Sequence, residues 1–98
     1  MGNPANTRAA RWAVAWTLRS LKRHAEALAV LRRLEQECAD ADAPDGHVFE
    51  ELAENRLAIG QAAQARPYFA KAHAALSADS LPDRVDDARL ARLLALSK

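Results

Sequence analysis

The stretch LAENRLAIGQAAQARPYFAKAHAAL, Leu52 to Leu76, places small residues at regular intervals between bulky ones. Gly60 predicts the end of one helix, because glycine adopts the left-handed conformation of a helix end at least cost. Pro67 falls early in the next helix, where it removes at most one backbone hydrogen bond, so we expect a slight bend and no break. The small residues predict closely packed helices with bulky neighbours around them: Ala53, Ala65 and Ala72 with Leu52, Phe69 and Leu76.

This pattern of two helices joined by a short turn recurs along the chain at a constant interval. We call it the repeat interval, and it leads from Val14 to Leu52 and from Leu52 to Leu90. The same interval aligns Ala15 with Ala53 and Ala91, Ala27 with Ala65, and Leu31 with Phe69. Helix-capping residue types stand at the three unit starts, where their oxygens can accept from unpaired amides: Thr7, Asp45 and Asp83. The pattern predicts five helices, at about 7–22, 24–41, 45–59, 62–78 and 83–97.

Composition supports an all-α fold in one small domain. The 98 residues are rich in alanine and leucine and poor in β-branched and aromatic side chains. We expect residues 1–6 to form a disordered leader and residues 7–98 to form a single domain. The lone Cys38 indicates a reducing compartment, and no apolar run reaches the roughly 18–20 residues that span a bilayer. The expected location is the cytoplasm, with no membrane contact.

The net charge of +1 conceals an uneven distribution along the chain. Residues 1–34 carry seven Arg or Lys and one acid, whereas residues 35–60 carry eight acids and one base. Residues 61–98 carry six bases and four acids. This distribution is compatible with self-contact or a polar partner, but ordinary solvated helix faces are the preferred interpretation.

The pattern resembles the tetratricopeptide repeat, a family whose unit is a pair of helices of about 34 residues. In the second unit, the matching residues keep the order and spacing of the family: Phe49, Leu52, Ala53, Gly60, Ala65, Phe69 and Ala72. The first unit is degenerate, with these residues in the equivalent places: Arg11, Val14, Ala15, Lys22, Ala27, Leu31 and Leu34. The repeat interval is also longer than the family's by about one helical turn of sequence, around the ADADAP segment.

The resemblance implies an α-α superhelix of antiparallel helix pairs with a C-terminal capping helix. It also implies a non-enzymatic adaptor or scaffold, whose first helices line a concave groove that binds a peptide or protein segment. The alternative is a structural module that forms a homodimer, because two and a half repeats are close to the minimum for stability and leave uncovered edges.

Residues that could carry enzymatic chemistry are few, and we expect no catalysis, cofactor or metal. The sequence has no glycine-rich phosphate loop, no HExxH motif and no CxxC pair. Cys38 is expected to be a buried, inert thiol, and the three scattered histidines to lie on the surface or at helix ends. The acids of the first helix in the second unit are interpreted as a solvated face: Glu50, Glu51 and Glu54.

Trp12 and Trp16 are the most informative candidates for a contact surface. At about 100° per residue, they fall well away from the predicted core arc of Val14, Leu18 and Leu21. Two exposed tryptophans would form an apolar patch of the kind that marks binding sites, although they could equally be core residues that cover the first repeat. The full set of predicted protein-binding residues is Trp12, Trp16, Arg19, Glu50, Glu54, Leu57, Arg89 and Arg92.

Two more specific ligands are not expected. Seven basic residues near the N-terminus could form a nucleic-acid patch, but a stacked fold would place the acidic segment beside it. Some family members clamp a chaperone's C-terminal carboxylate with Lys and Asn on their first helices. Trp12 and Trp16 stand in the places that the resemblance assigns to the leading Lys and Asn, so we predict no such binding.

Overall fold

The computed structural model describes residues 4–78 and 87–98, and within them it describes side chains from Thr7 onward. The described chain is all-α, and its five helices are α1 Pro4–Ser20, α2 His24–Asp40, α3 Gly46–Ala58, α4 Ala62–Ser77 and α5 Asp87–Leu96. None of these helices has the length and apolar character needed to cross a membrane. The prediction of an all-helical fold is confirmed for the described residues.

Helix starts agree with the sequence pattern in the middle of the chain and differ at the first helix. Asp45 caps α3, since its carboxylate accepts a 2.9 Å hydrogen bond from the His47 amide. α1 begins at Pro4, ahead of the predicted start at Thr7, because proline is well suited to a first helical turn. Residues 4–6 are therefore helical, whereas residues 1–3 and the predicted start at Asp83 lie outside the described residues.

The turns after α1 and α3 share one backbone conformation at equivalent positions of the two units. Lys22 has φ of 62° and Gly60 has φ of 84°, so both residues are left-handed. In each turn the following amide donates a 2.8 Å hydrogen bond, from Arg23 to the Leu18 carbonyl and from Gln61 to the Arg56 carbonyl. This is the pattern that closes a helix through a left-handed residue. The helix end predicted at Gly60 is confirmed, and α4 continues through Pro67 without a break.

The core is built from consecutive helix contacts, since each helix packs on the next and α1 also contacts α3. One buried cluster lies among α1, α2 and α3, and comprises Ala15, Leu28, Leu31, Leu34, Cys38, Val48 and Leu52. A second lies among α3, α4 and α5, and comprises Ala53, Ala65, Phe69, Ala72, Leu76 and Leu93. Phe49 and Tyr68 pack against both clusters, so the core is continuous.

Burial follows the repeat interval. Between the first and second units, the equivalent pairs in which both members are buried are Ala15 with Ala53, Ala27 with Ala65, Leu31 with Phe69, Leu34 with Ala72, and Cys38 with Leu76. The two units thus place the same positions in the core. At some of these positions one unit has a larger side chain than the other.

The predicted core arc of α1 is wrong at Val14 and Leu21, whose side chains are 51% and 62% exposed. The buried line of α1 runs instead through Ala15, with Trp12 packed beside it against the first cluster. α1 is the first helix, and its described neighbours, α2 and α3, do not cover the side that carries Val14 and Leu21. Leu52, the equivalent of Val14 one unit later, is fully buried.

Gly46 allows the start of α3 to approach the end of α4 closely. A Cβ built there would lie 2.7 Å from Leu76 Cγ and 3.0 Å from Ala75 Cβ. Gly46→Ala is therefore expected to lower the free energy of unfolding by about 1–3 kcal/mol through overpacking. Urea denaturation followed by circular dichroism measures this loss.

Gly60→Asn is the control for that substitution, because nothing lies within 4 Å of a Cβ at Gly60 and asparagine tolerates the left-handed conformation. Its loss should stay below about 1 kcal/mol. If Gly46→Ala were as stable as the wild type, the close packing of α3 on α4 would be contradicted.

Candidate functional site

A cleft of about 400 Å³ runs across α1, α3 and α5. Its lining residues, which define the α1–α3–α5 cleft, are Trp12, Trp16, Arg19, Glu50, Glu51, Glu54, Arg89 and Arg92. Seven of the eight predicted contact residues therefore come together, and Glu51 joins them. The volume lies within the range of about 300–1,000 Å³ that ligand pockets commonly occupy.

The repeat interval explains why these side chains meet. Trp16, Glu54 and Arg92 are separated by one repeat interval each, so they occupy one equivalent position on three helices. Trp12 and Glu50 form a second such pair on α1 and α3. Because the units repeat, equivalent positions point to one side of the fold, and the cleft is that side.

Glu51 anchors α1 to α3 through a two-point ion pair with Arg19. Arg19 donates from Nε to Glu51 Oε2 at 2.5 Å and from Nη2 to Glu51 Oε1 at 2.9 Å. Glu51 is almost completely buried, at 3% exposed. The hydrogen bond with Glu51 raises the pKa of Arg19 above its ordinary value, although partial burial opposes this change. A paired guanidinium of this kind stays charged at every physiological pH.

α5 is joined to α3 by two further arginine–glutamate pairs. Arg89 donates from Nε to Glu50 Oε2 at 2.8 Å and from Nη2 to Glu50 Oε1, so this pair is also two-point. Arg92 makes a single 3.0 Å hydrogen bond from Nη2 to Glu54 Oε1. α3 therefore holds α1 with one carboxylate and α5 with two others.

The interpretation of these acids as a solvated face is wrong for Glu50 and Glu51, which are buried. Burial is tolerated because each carboxylate accepts two hydrogen bonds from an arginine of another helix. The sequence did carry a signal, since Arg89 and Arg92 occupy the same equivalent positions as Glu51 and Glu54. Arg19 was predicted as a contact residue but lies outside that register, and its pairing with Glu51 was not predicted.

The two tryptophans have different environments, because Trp12 is partly buried and Trp16 is exposed. Trp12 packs against the first core cluster. Its ring is edge-on to the His47 ring, with 6.1 Å between the ring centroids, and its Nε1 donates to the His47 carbonyl at 3.3 Å. It is partly a core residue that ties α1 to the start of α3. Trp16 remains 48% exposed at the cleft, one helical turn further along α1.

Leu57 is the predicted contact residue that does not line the cleft. It packs against the second core cluster and lines an adjoining depression of about 520 Å³, which shares Arg19 and Glu54 with the cleft. Asn55, which is fully buried, makes two hydrogen bonds nearby. Its Oδ1 lies 2.9 Å from His24 Nδ1, and its Nδ2 donates to the Glu51 carbonyl at 2.7 Å. This buried amide links α2 to α3 and was not predicted.

A second cavity of about 390 Å³ lies among α2, α3 and α4, beside the buried Cys38. Burial raises the pKa of the Cys38 thiol, which disfavours the nucleophilic thiolate. Two of the charged groups around this cavity already have local roles, because Asp45 caps α3 and the Lys71 ammonium lies 5.7 Å from the Phe49 ring centroid. The cavity is therefore the weaker candidate for a binding site.

Neither a metal-ligand cluster nor a similarity to a known protein indicates a function for the described residues. Among residues 4–78 and 87–98, no group of three or more His, Cys, Asp or Glu side chains could hold a metal ion. No family model matches the chain, and no match is found among curated proteins or solved structures.

Proposed function

We propose that this chain is a non-enzymatic protein-interaction module, similar to tetratricopeptide-repeat adaptors, that binds a peptide or protein segment in the α1–α3–α5 cleft. The proposal includes a short superhelical array of two helix pairs and a terminal helix. It also places the protein in the reducing cytoplasm, where a single buried cysteine needs no partner.

The repeated geometry supports the array. The turns after α1 and α3 share their left-handed residue and their hydrogen-bond pattern, and the buried positions recur at the repeat interval. Three odd-numbered helices contribute to one cleft. In a helical repeat array, such a shared side forms the binding surface.

The observation that carries the proposal is the half-exposed Trp16 beside charged groups that are held in place by ion pairs. Tryptophan is enriched among binding hot spots, because it offers a large apolar surface with few rotatable bonds. The surrounding arginine–glutamate pairs fix the shape of the cleft before a ligand arrives, which reduces the entropy lost on binding.

Removing the Trp16 side chain tests this function. Peptides are first selected from a random display library on the immobilised chain, and their affinities are then measured by fluorescence anisotropy. Trp16→Ala is expected to weaken binding of the selected peptides by at least about tenfold, as for a moderate hot spot. Thermal melts of both proteins establish that the variant is folded.

Val14→Ala is the matched control, because Val14 lies on another side of the same helix and is exposed to the same degree, 51% against 48%. It should leave peptide affinity unchanged. Selected peptides that bind Trp16→Ala as tightly as the wild type would reject the cleft as the binding site.

Self-association is the second candidate function, and the uncovered side of α1 favours it. Val14 and Leu21 expose apolar surface there, although Leu52, the equivalent of Val14 in the second unit, is fully buried. Light scattering over a concentration series distinguishes the two functions. A monomer at all concentrations supports the adaptor, whereas a dimer that Val14→Asp converts into a folded monomer supports self-association through this side.

A further inference from the structure

The ion pairs of the cleft are layered, with their carboxylates below and their guanidinium groups above. The glutamate side chains are 3%, 11% and 18% exposed at Glu51, Glu50 and Glu54. Their arginine partners are 31%, 40% and 50% exposed, in the same order. Equal numbers of charges therefore do not give a neutral surface, because solvent meets mainly the cationic member of each pair.

Arg92 is the most accessible of these cations. Its hydrogen bond to Glu54 uses one terminal nitrogen, which leaves most of its N–H groups without a protein partner among the described residues. A guanidinium with unused donors at a cleft binds carboxylates well, since two parallel N–H groups match two carboxylate oxygens. Trp16 occupies the equivalent position on α1 and offers an apolar surface to the same ligand.

We infer that the cleft selects an acidic peptide segment, in which Asp or Glu side chains bind the exposed arginines and a neighbouring apolar side chain packs on Trp16. This inference rests on the proposed function and specifies its ligand. Charge complementarity carries it, because the buried carboxylates repel an incoming acid less than the exposed guanidinium groups attract it. The recognised groups are side-chain carboxylates within a segment, and no free C-terminus is required.

Three peptides of matched length test the charge preference. Each alternates leucine with a polar residue, which is Glu in the first, Gln in the second and Lys in the third. All three are acetylated and amidated, so that no terminal charge contributes. By fluorescence anisotropy, the Glu peptide is expected to bind at least about tenfold more tightly than the Gln peptide, and the Lys peptide more weakly still.

Opposite effects from the two members of one ion pair separate ligand binding from structural support. Arg92→Gln is expected to weaken the Glu peptide about tenfold, because a donor to the ligand is lost. Glu54→Gln is expected to tighten it about threefold or more, because the carboxylate that competes for Arg92 is removed. A purely structural pair would make both variants bind less well.

Arg66→Gln provides the matched charge control. Arg66 is exposed on α4 and does not line the cleft. Arg66→Gln therefore changes the net charge by the same amount as Arg92→Gln, but outside the cleft. The Glu peptide should bind this variant within about twofold of the wild type, since an exposed charge that does not line the cleft is weakened by salt screening.

Several results would overturn the inference. They are equal binding of the Glu and Gln peptides, weaker binding by both Arg92→Gln and Glu54→Gln, or an equal loss in Arg66→Gln. Displacement of the Glu peptide by an oligonucleotide of equal charge would assign the cleft to phosphates. A dimer that Arg92→Gln dissociates would assign it to a second copy of this chain. If a neutral peptide binds and Trp16→Ala abolishes that binding, the acidic preference fails and the proposed function stands.

Discussion

Phe69→Ala is expected to lower the free energy of unfolding by about 3–5 kcal/mol, the usual loss when a buried phenylalanine is truncated. Phe69 is 1% exposed and belongs to the second core cluster, which joins α3, α4 and α5. Its neighbours there are mostly alanines and leucines already in contact, so the cavity left behind cannot close easily. A chain of this size has roughly 5–15 kcal/mol of total stability, so the loss is a large fraction of it.

Urea denaturation followed by circular dichroism measures this effect, and the same samples should melt about 15–30 °C below the wild type. Leu94→Ala is the control, because Leu94 is 43% exposed on α5 and should lose less than about 1 kcal/mol. A loss below about 1 kcal/mol for Phe69→Ala would contradict the packing of α4 between α3 and α5.

Arg19→Met is expected to cost about 2–3 kcal/mol, because it leaves the carboxylate of Glu51 buried without its partner. The figure lies below the range for a fully buried pair, since Arg19 itself is about one third exposed. The double variant Arg19→Met/Glu51→Met should recover most of the loss, because it removes the unpaired charge and fills similar volume.

Arg92→Gln serves as the stability control for this prediction. This substitution breaks a pair of the same type, whose glutamate, Glu54, also lies on α3. Arg92 itself lies on α5, is half exposed and makes a single hydrogen bond. Its cost should stay below about 1 kcal/mol. If Arg19→Met and Arg92→Gln lowered the free energy of unfolding equally, the claim that the buried Glu51 carboxylate needs Arg19 as its partner would be contradicted.

The helices of the central part of the chain could be predicted because their signals are local. Gly60 and Asp45 act through the backbone within a few residues, and the repeat interval carried the pattern across the chain. The core side of α1 could not be assigned from apolar residues alone. Val14 and Leu21 are apolar and follow helical periodicity, yet neither α2 nor α3 covers the side of α1 that carries them.

The membership of the cleft could be predicted in large part, but not its charge layering. The repeat interval places Trp16, Glu54 and Arg92 on one side of the fold. The bond from Arg19 to Glu51 joins residues that are far apart in sequence, and nothing local distinguishes a buried paired acid from a solvated one. That distinction decides which sign of charge a ligand meets, and it required the three-dimensional arrangement.

The most direct test of the central claim is a chemical-shift map of the ¹⁵N-labelled chain titrated with a selected peptide. We predict that the largest changes occur at the indole signal of Trp16, at the Nε signals of Arg19 and Arg89, and at neighbouring amides of α1, α3 and α5. Changes confined to the cavity beside Cys38, or to the uncovered side of α1 around Val14, would contradict binding in the α1–α3–α5 cleft.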